Sequence, residues 1–485
     1  MALPPGPRLP ALLQAARMSR DPVGWLERRR ARYGDCFSSK FPFFGQLVYV
    51  SDPAEIKRVF AGDTAVFHAG EANSIPLGPV FGTYSLLTLD EAEHMRQRKL
   101  LLPPFHGEAV RRYGEEIEQI AERDLDRWPV GEPFPLRPAM QSITLEVILR
   151  TVFGVREPER LEAFRAAITR LAATGNALIW LPPLRRDLGR LSPAARFKRV
   201  RAAADELIYE QIDSRRALPE DERGDDVLSL LLSARHDDGS PMTNEELRDE
   251  LMTLLGAGHE TSATGLSWAF ERLLRNPGAL ARLSADPDDD AYVDAVIKET
   301  LRVRPVVTDV ARLLTRNTEI AGYTIPAGTI VLCVIALVHR REDLWPDPLQ
   351  FRPERFLEGQ PEPYSWIPFG GGVRRCIGAA FAQYEMKVVL RTIMRRARLR
   401  AESPDDERGV LRHVTVAPAR GARAVLDERR PAGERRPTDA RRPADARQPA
   451  DQRPPAGAHR KETAIYDERS GSEATGGASQ ANSLS

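Results

Sequence analysis

The segment from Phe369 to Gly378 contains the cysteine whose neighbours best suit it to chemistry. It reads Phe-Gly-Gly-Gly-Val-Arg-Arg-Cys-Ile-Gly, with Cys376 between glycines and two residues after Arg374. Glycines let backbone N–H groups approach a sulfur closely, and a helix predicted to start after Gly378 places its positive end nearby. Because the arginine adds a full positive charge, the segment predicts a thiolate at position 376.

A thiolate in such a loop can act as a nucleophile or bind a metal, whereas a lone cysteine is most often a buried, inert thiol. A nucleophile would need a histidine base, and none lies nearby in the sequence. Zinc needs three or four Cys or His ligands, and the three cysteines Cys36, Cys333 and Cys376 are scattered. A single thiolate bound to haem iron fits the pattern best.

A second segment, Ala257-Gly-His-Glu-Thr-Ser262, lies inside a predicted helix. Helical spacing puts Ala257 and Thr261 on one stripe of small residues, against which a flat group can lie. Thr261 is also correctly spaced to bond back to the Ala257 carbonyl and open the helix. Glu260 lies about 100° around the helix, so it would reach a pocket only through water. By itself, a Glu-Thr pair of this kind is usually structural.

A third pattern, Glu299-Thr-Leu-Arg302, places two opposite charges at positions i and i+3 of a predicted helix. Such a pair is usually a surface ion pair worth a few tenths of a kcal/mol. A later segment, Phe351-Arg-Pro-Glu-Arg355-Phe, adds a further arginine. Arginine forks suit a buried carboxylate better than lysine does.

The cysteine segment resembles the haem-binding loop of the cytochrome P-450 superfamily, F-x-x-G-x-R-x-C-x-G, at every fixed position. The resemblance implies that Cys376 is the ligand of the iron of haem b. It also implies that Phe369 and Gly378 lie beside the haem in the same loop and that Ala257 lies against its other face.

The same resemblance gives roles to the two helical patterns. Glu260 and Thr261 are similar to the acid–alcohol pair of the family, which delivers protons during oxygen activation. Glu299 and Arg302 resemble its E-x-x-R motif, and Arg355 resembles the arginine that completes that triad. The triad would form a buried ion network beneath the haem, an architectural role.

Haem also carries two propionates, which need cationic or hydrogen-bonding partners when they are buried. His94 and Arg98 lie at i and i+4 of a predicted helix and therefore share one face. The resemblance implies that these two residues, together with Arg312 and Arg374, contact the propionates. Each of the four, taken alone, would be a solvated charge.

Composition excludes several classes of protein. The net charge of +1 argues against a partner that is a nucleic acid. Three scattered cysteines do not make a disulfide framework and are typical of a cytoplasmic protein. No apolar run approaches the roughly 18 residues that a spanning helix needs, and the N-terminus lacks a signal-peptide pattern. We expect a cytoplasmic protein without a membrane span.

Two regions differ in composition. Residues 1–426 are predicted to form one domain, mainly α with small β-sheets, with helices at about 243–274, 292–303 and 379–396 and strands in 44–50 and 319–334. From 427 to 485 arginine and proline recur every six residues before a Gly/Ser-rich end, which predicts a disordered tail. The resemblance implies the P-450 fold for the domain: a triangular helix-rich prism with haem between a distal oxygen-binding helix and a proximal helix after the cysteine loop.

The resemblance implies a monooxygenase that inserts one atom of O₂ into a C–H bond of a small lipophilic substrate, such as a fatty acid or terpenoid. The expected pocket walls, at 72–87, 171–191, 254–257 and 306–308, are largely aliphatic. We expect a monomer. Because no flavin-binding motif is present, we also expect electrons to come from a separate ferredoxin or flavodoxin and its NAD(P)H-dependent reductase. Two alternatives remain open: a peroxygenase or isomerase on the same fold, and a haem-binding sensor without turnover.

Overall fold

The computed structural model describes residues 3–105 and 107–431, except the side chains at 176, 177 and 180. Within this part the chain is mainly helical with small sheets, as the sequence predicts. The last strand runs to Arg429, so residues 427–429, predicted to lie in the tail, are part of a sheet instead. The rest of the predicted tail, 432–485, lies outside the described residues.

Seventeen α-helices occur in the described residues. They are α1 (Ala11–Arg20), α2 (Pro22–Tyr33), α3 (Pro53–Phe60), α4 (Ala69–Phe81), α5 (Glu91–Leu101), α6 (Glu108–Arg111), α7 (Gly114–Leu125), α8 (Leu136–Thr151), α9 (Pro158–Trp180), α10 (Pro193–Arg216), α11 (Val227–Ser233), α12 (Asn244–Leu274), α13 (Pro277–Ala285), α14 (Asp290–Val303), α15 (Ile335–Val338), α16 (Arg355–Glu358) and α17 (Ala379–Arg396). None of these helices is both long enough and apolar enough to cross a bilayer.

Twelve strands complete the described part. They are β1 (Cys36–Phe41), β2 (Gly45–Val50), β3 (Phe67–His68), β4 (Pro133–Pro135), β5 (Val310–Leu314), β6 (Thr318–Ile320), β7 (Tyr323–Ile325), β8 (Ile330–Cys333), β9 (Ala397–Ala401), β10 (Gly409–Arg412), β11 (Thr415–Pro418) and β12 (Arg423–Arg429). The largest sheet has the order β1-β2-β8-β5-β3, in which β2 and β8 are parallel and the other pairs antiparallel. The others have the orders β4-β12-β9, β6-β7 and β10-β11.

Helix α12 is 31 residues long and starts where its sequence signal predicts. The Thr243 hydroxyl accepts a hydrogen bond from the Glu246 N–H at 3.1 Å, and the Glu246 carboxylate accepts one from the Thr243 N–H at 2.8 Å. This reciprocal cap satisfies two N–H groups that the first helical turn leaves unpaired. The helix ends at Leu274, just before the Asn276–Pro277 dipeptide, because the proline disfavours helical backbone in the residue before it.

The largest hydrophobic core surrounds α12, which packs against α8 and α17. Two smaller cores cover the opposite faces of the five-stranded sheet. Residues alternate between these faces along each strand: Val48 and Val331 belong to one core, whereas Tyr49 and Leu332 belong to the other. The sheet thus stands beside the helical core, and the connection from α14 to β5 passes between the two.

Candidate active site

The loop that precedes α17 is closed by a hydrogen bond from the Cys376 N–H to the Phe369 carbonyl at 2.9 Å. Gly372 has φ +64° and packs against the backbone of Phe60, and a Cβ at this position would overlap the Phe60 carbonyl. Only glycine combines a left-handed backbone with so close an approach without strain. The glycines therefore shape the turn that presents Cys376.

Cys376 is exposed, yet burial among protein atoms raises the pKa of its thiol. A group that is both reachable and surrounded lines an internal cavity. The N–H of Gly378 and the charges of Arg98 and Arg375 lower the pKa, but less than burial raises it. Among the protein groups burial has the larger effect, so the predicted thiolate stays a prediction that depends on a cation bound at the sulfur.

The centre of α12 is also exposed although the residues around it are buried. Gly256 and Ala257 are exposed, although the turns before and after them are buried in the core. The exposed stretch therefore borders internal space. Two turns further on, Gly265 packs against Met386 of α17, so the helix that follows Cys376 is held against α12. A small-residue surface on one helix and a lone sulfur before the other fit a flat cofactor bound through its metal.

The structure brings the four predicted propionate ligands within electrostatic range of one another. Burial, together with the charges of Arg374, Arg98 and Arg312, lowers the pKa of His94 to about 3. Burial also lowers the pKa of Arg374 to about 10. Asp90 pairs with Arg374 at 2.5 Å, and its charge also acts on Arg312. Arginines and a histidine gathered at one place fit a ligand that carries carboxylates.

Thr261 and Glu260 lie side by side on α12 but have different partners. The Thr261 hydroxyl donates to the Ala257 carbonyl at 2.6 Å, which is the back-bond that the spacing predicts. The Glu260 carboxylate accepts hydrogen bonds from Arg137 and, at 2.8 Å, from Gln141, both on α8. Glu260 therefore points to the neighbouring helix. No pattern in the sequence predicted its contacts with Arg137 and Gln141.

Glu299 and Arg302 form an ion pair whose side chains are 0% exposed. Two guanidinium nitrogens of Arg302 donate to the two carboxylate oxygens at 2.7 and 2.8 Å, and Arg355 lies 3.4 Å from the same carboxylate. Arg302 also donates to the carbonyls of His339 and Pro348, each at 2.8 Å. The structure thus places the three residues in one buried network that joins α14 to the chain before the cysteine loop.

Three carboxyl groups surrounded by protein atoms, two of them fully buried, were not predicted from the sequence. Glu250, Asp309 and Glu385 all have a pKa raised mainly by burial, to about 8 for Glu385. Glu250 and Glu385 belong to amphipathic helices, where an acidic residue usually marks the solvent face. Asp309 directly follows the predicted pocket wall at 306–308. This position is the only sequence feature that indicates a place near the pocket.

The comparisons with known proteins agree with this geometry. The family model described as Cytochrome P450 matches residues 3–419. Cytochrome P450 135B1 of Mycobacterium tuberculosis is 47% identical over 433 residues, which cover 87% of this chain and 91% of that protein. Cytochrome P450 135A1 of the same organism is 40% identical over 435 residues, which cover 89% and 96%.

Solved structures show the same fold. Retinoic acid-bound cyanobacterial CYP120A1 matches with a TM-score of 0.76 at 25% identity, covering 88% of this chain and 100% of that one. The cytochrome P450DA heme domain matches with a TM-score of 0.76 at 24% identity, covering 89% and 99%. The helix-rich fold and the cysteine loop before α17 are those of the haem-thiolate class of proteins. This chain belongs to the cytochrome P450 family and is a cytochrome P450 monooxygenase.

Proposed function

We propose that Cys376 is the axial ligand of a haem b and that the chain oxidises a small lipophilic substrate at a C–H bond with O₂. The observation that carries this proposal is that Cys376 is exposed, whereas Cys36 and Cys333 are buried, and that a glycine-shaped loop presents it directly before α17. The haem, when bound, supplies oxygen binding and reduction. The largely aliphatic pocket walls support a fatty acid or terpenoid, and one structural relative is bound to retinoic acid.

The chain's own residues would position the cofactor and manage protons. Arg98, Arg312 and Arg374 would bind the propionates through their charges and His94 through a hydrogen bond from its neutral imidazole, since the four lie within electrostatic range of one another. Thr261 would hold a proton on its hydroxyl, which is fixed by its bond to the Ala257 carbonyl. Glu260, on the next helical position, would resupply that proton through water.

We further propose that electrons come from a ferredoxin or flavodoxin with its NAD(P)H-dependent reductase. These carriers are acidic, and the exposed Arg375 beside the cysteine loop offers them a positive charge. A monomer in the cytoplasm fits this partnership. The three free cysteines support a reducing compartment.

Replacement of the proposed ligand tests this function. In Cys376→Ser the absorption band of the reduced carbonyl complex that reports thiolate ligation should vanish, and substrate-dependent O₂ consumption with a surrogate ferredoxin and reductase should stop. Cys36→Ser is the matched control, because that thiol is buried in the sheet and burial raises its pKa to about 12. An unchanged band in Cys376→Ser, or its loss in both variants, would contradict the assignment.

A further inference from the structure

Asp309 is a charged residue that directly follows 306–308, a segment expected to line an otherwise aliphatic pocket. It follows Val306 and Val307, which pack against the core around α12, and it immediately precedes β5. Its side chain is only partly buried, yet burial among protein atoms raises its pKa. Like Cys376, it is both reachable and surrounded, so its carboxyl group faces internal space.

Asp309 and Arg312 both act on the pKa of the Cys333 thiol, but neither acts on the pKa of the other. Along β5, Val310 packs into the core that contains Val331, whereas Ala311 packs into the opposite one with Tyr49. The Arg312 guanidinium lies 5.6 Å from the centre of the Phe60 ring, on the Val310 side. Alternation therefore places Asp309 on the other side, and its charge raises the pKa of Tyr49 there.

The carboxyl group has little compensation from the protein. The Thr308 hydroxyl donates to one of its oxygens at 2.8 Å, and this bond opposes the effect of burial on its pKa. Among the described residues no cation contributes to that pKa. A surrounded carboxylate with one neutral donor is costly, so a cation that enters the cavity would be bound strongly.

The carboxyl groups of Glu250 and Glu385 are not accessible from a cavity. Glu250 and Glu385 are 0% exposed, and their oxygens are enclosed by protein atoms. A ligand in the cavity therefore does not reach them. Asp309 is the one of the three whose oxygens a ligand can contact.

We propose that Asp309 anchors the substrate and that the substrate is an amphiphile with a lipophilic body and a cationic nitrogen. This proposal rests on the proposed function of the site. It narrows the substrate class, because the aliphatic walls alone would favour an uncharged substrate. The cationic head would bind the Asp309 carboxylate near β5. The hydrocarbon part would lie along Val306 and Val307, and its free end would extend toward the reactive centre.

Binding of three ten-carbon probes to the holoenzyme tests this proposal. Decyltrimethylammonium, decanol and decanoate are titrated below their micelle concentrations, with the Soret shift and isothermal calorimetry as independent readouts. The quaternary head cannot coordinate iron, so the cation acts through charge alone. The wild type should bind the cation about tenfold more tightly than decanol, as expected for one charge-assisted contact, and decanoate most weakly.

Asp309→Asn keeps the size of the side chain and should bring the affinity for the cation close to that for decanol, while affinity for decanoate rises. Asp343→Asn, an exposed aspartate, controls for the change in net charge and should leave the ranking unchanged. If Asp309→Asn does not fold, the ranking of the three probes on the wild type decides. Equal or better binding of decanoate, or an unchanged ranking in folded Asp309→Asn, would overturn the proposal. A protein that binds no haem would instead contradict the proposed function, and calorimetry would still test Asp309.

Discussion

Glu260 of α12 and Arg137 of α8 form an ion pair in which each side chain is about 15% exposed (15% and 14%). Gln141, one turn further along α8, donates to the other carboxylate oxygen. The carboxylate of Glu260 is thus anchored to a neighbouring helix, while the Thr261 hydroxyl bonds back to its own helix. In the proposed proton delivery water would bridge the two side chains, and the threonine hydroxyl would be the last fixed group before the pocket.

Removal of that hydroxyl should separate electron consumption from product formation. In Thr261→Ala we expect the fraction of electrons that end in hydrogen peroxide to rise on the order of tenfold, because proton delivery loses its last fixed donor. Product and peroxide are measured against NAD(P)H consumed. Thr264→Ala is the control: this threonine lies one turn later on α12 and is 0% exposed. Unchanged coupling in Thr261→Ala would refute the proton-delivery role.

The buried pair Glu299–Arg302 and the surface pair Glu55–Arg58 have the same i, i+3 spacing but different environments. Arg302→Lys should lower the free energy of unfolding by about 3–5 kcal/mol, because lysine lacks the planar fork and leaves the buried carboxylate poorly paired. Arg58→Lys should cost less than about 1 kcal/mol, since the Arg58 side chain is 58% exposed. Urea unfolding followed by circular dichroism measures both. Similar losses of unfolding free energy in the two variants would contradict the prediction that burial makes the Glu299–Arg302 pair contribute more to stability.

Haem retention should distinguish Arg374 from its neighbour Arg375. Arg374→Gln removes a buried cation from the cluster with His94, and we expect haem transfer to an acceptor protein to become about tenfold to a hundredfold faster, as for a lost bond to a buried charge. Arg375→Gln, at an exposed position, should have little effect on this rate. Asp90→Asn separates the two roles of Arg374, because it breaks the ion pair but keeps the cation. If Asp90→Asn loses haem as fast as Arg374→Gln, the arginine acts only through Asp90.

The sequence predicted those features whose causes are local. The Thr243 cap, the Ala257–Thr261 spacing and the glycines before Cys376 each act within a few residues, and the structure shows the cap, the back-bond and the turn in place. The i, i+3 spacing could not by itself separate the buried Glu299 pair from an exposed one. Only the resemblance to the family indicated burial there.

The features that the sequence did not predict depend on distant partners or on the depth of burial. Arg137 meets Glu260 across 123 residues of chain, and no periodic pattern indicates such a contact. The thiol of Cys376 has a raised pKa because the enclosing protein outweighs the adjacent positive groups, and enclosure is a property of the whole fold. Asp309 was overlooked for the same reason, since strand and loop signals do not reveal which residues border a cavity.

Glu385 of α17 should make the stability of this protein depend on pH. Burial raises its pKa to about 8; the nearby Ser262 hydroxyl lowers it only partly, and neither carboxyl oxygen has a hydrogen bond of good geometry among the described residues. Below the usual pKa of the group both folded and unfolded chains hold the proton, so no penalty arises. Between that value and about 8 the unfolded chain releases the proton that the folded protein keeps, and stability falls as the pH rises.

Glu385→Gln removes this titration while keeping the shape of the side chain. Relative to the variant, the free energy of unfolding of the wild type should therefore fall as the pH rises from about 5 to 8, with a slope of at most about 1.4 kcal/mol per pH unit. Urea unfolding of both proteins at several pH values measures the difference. Glu115→Gln, at an exposed position of α7, should show no such slope. A constant difference between Glu385→Gln and the wild type over this range would mean that the Glu385 carboxyl is already ionised in the folded protein, and that its burial is compensated by a group other than Ser262.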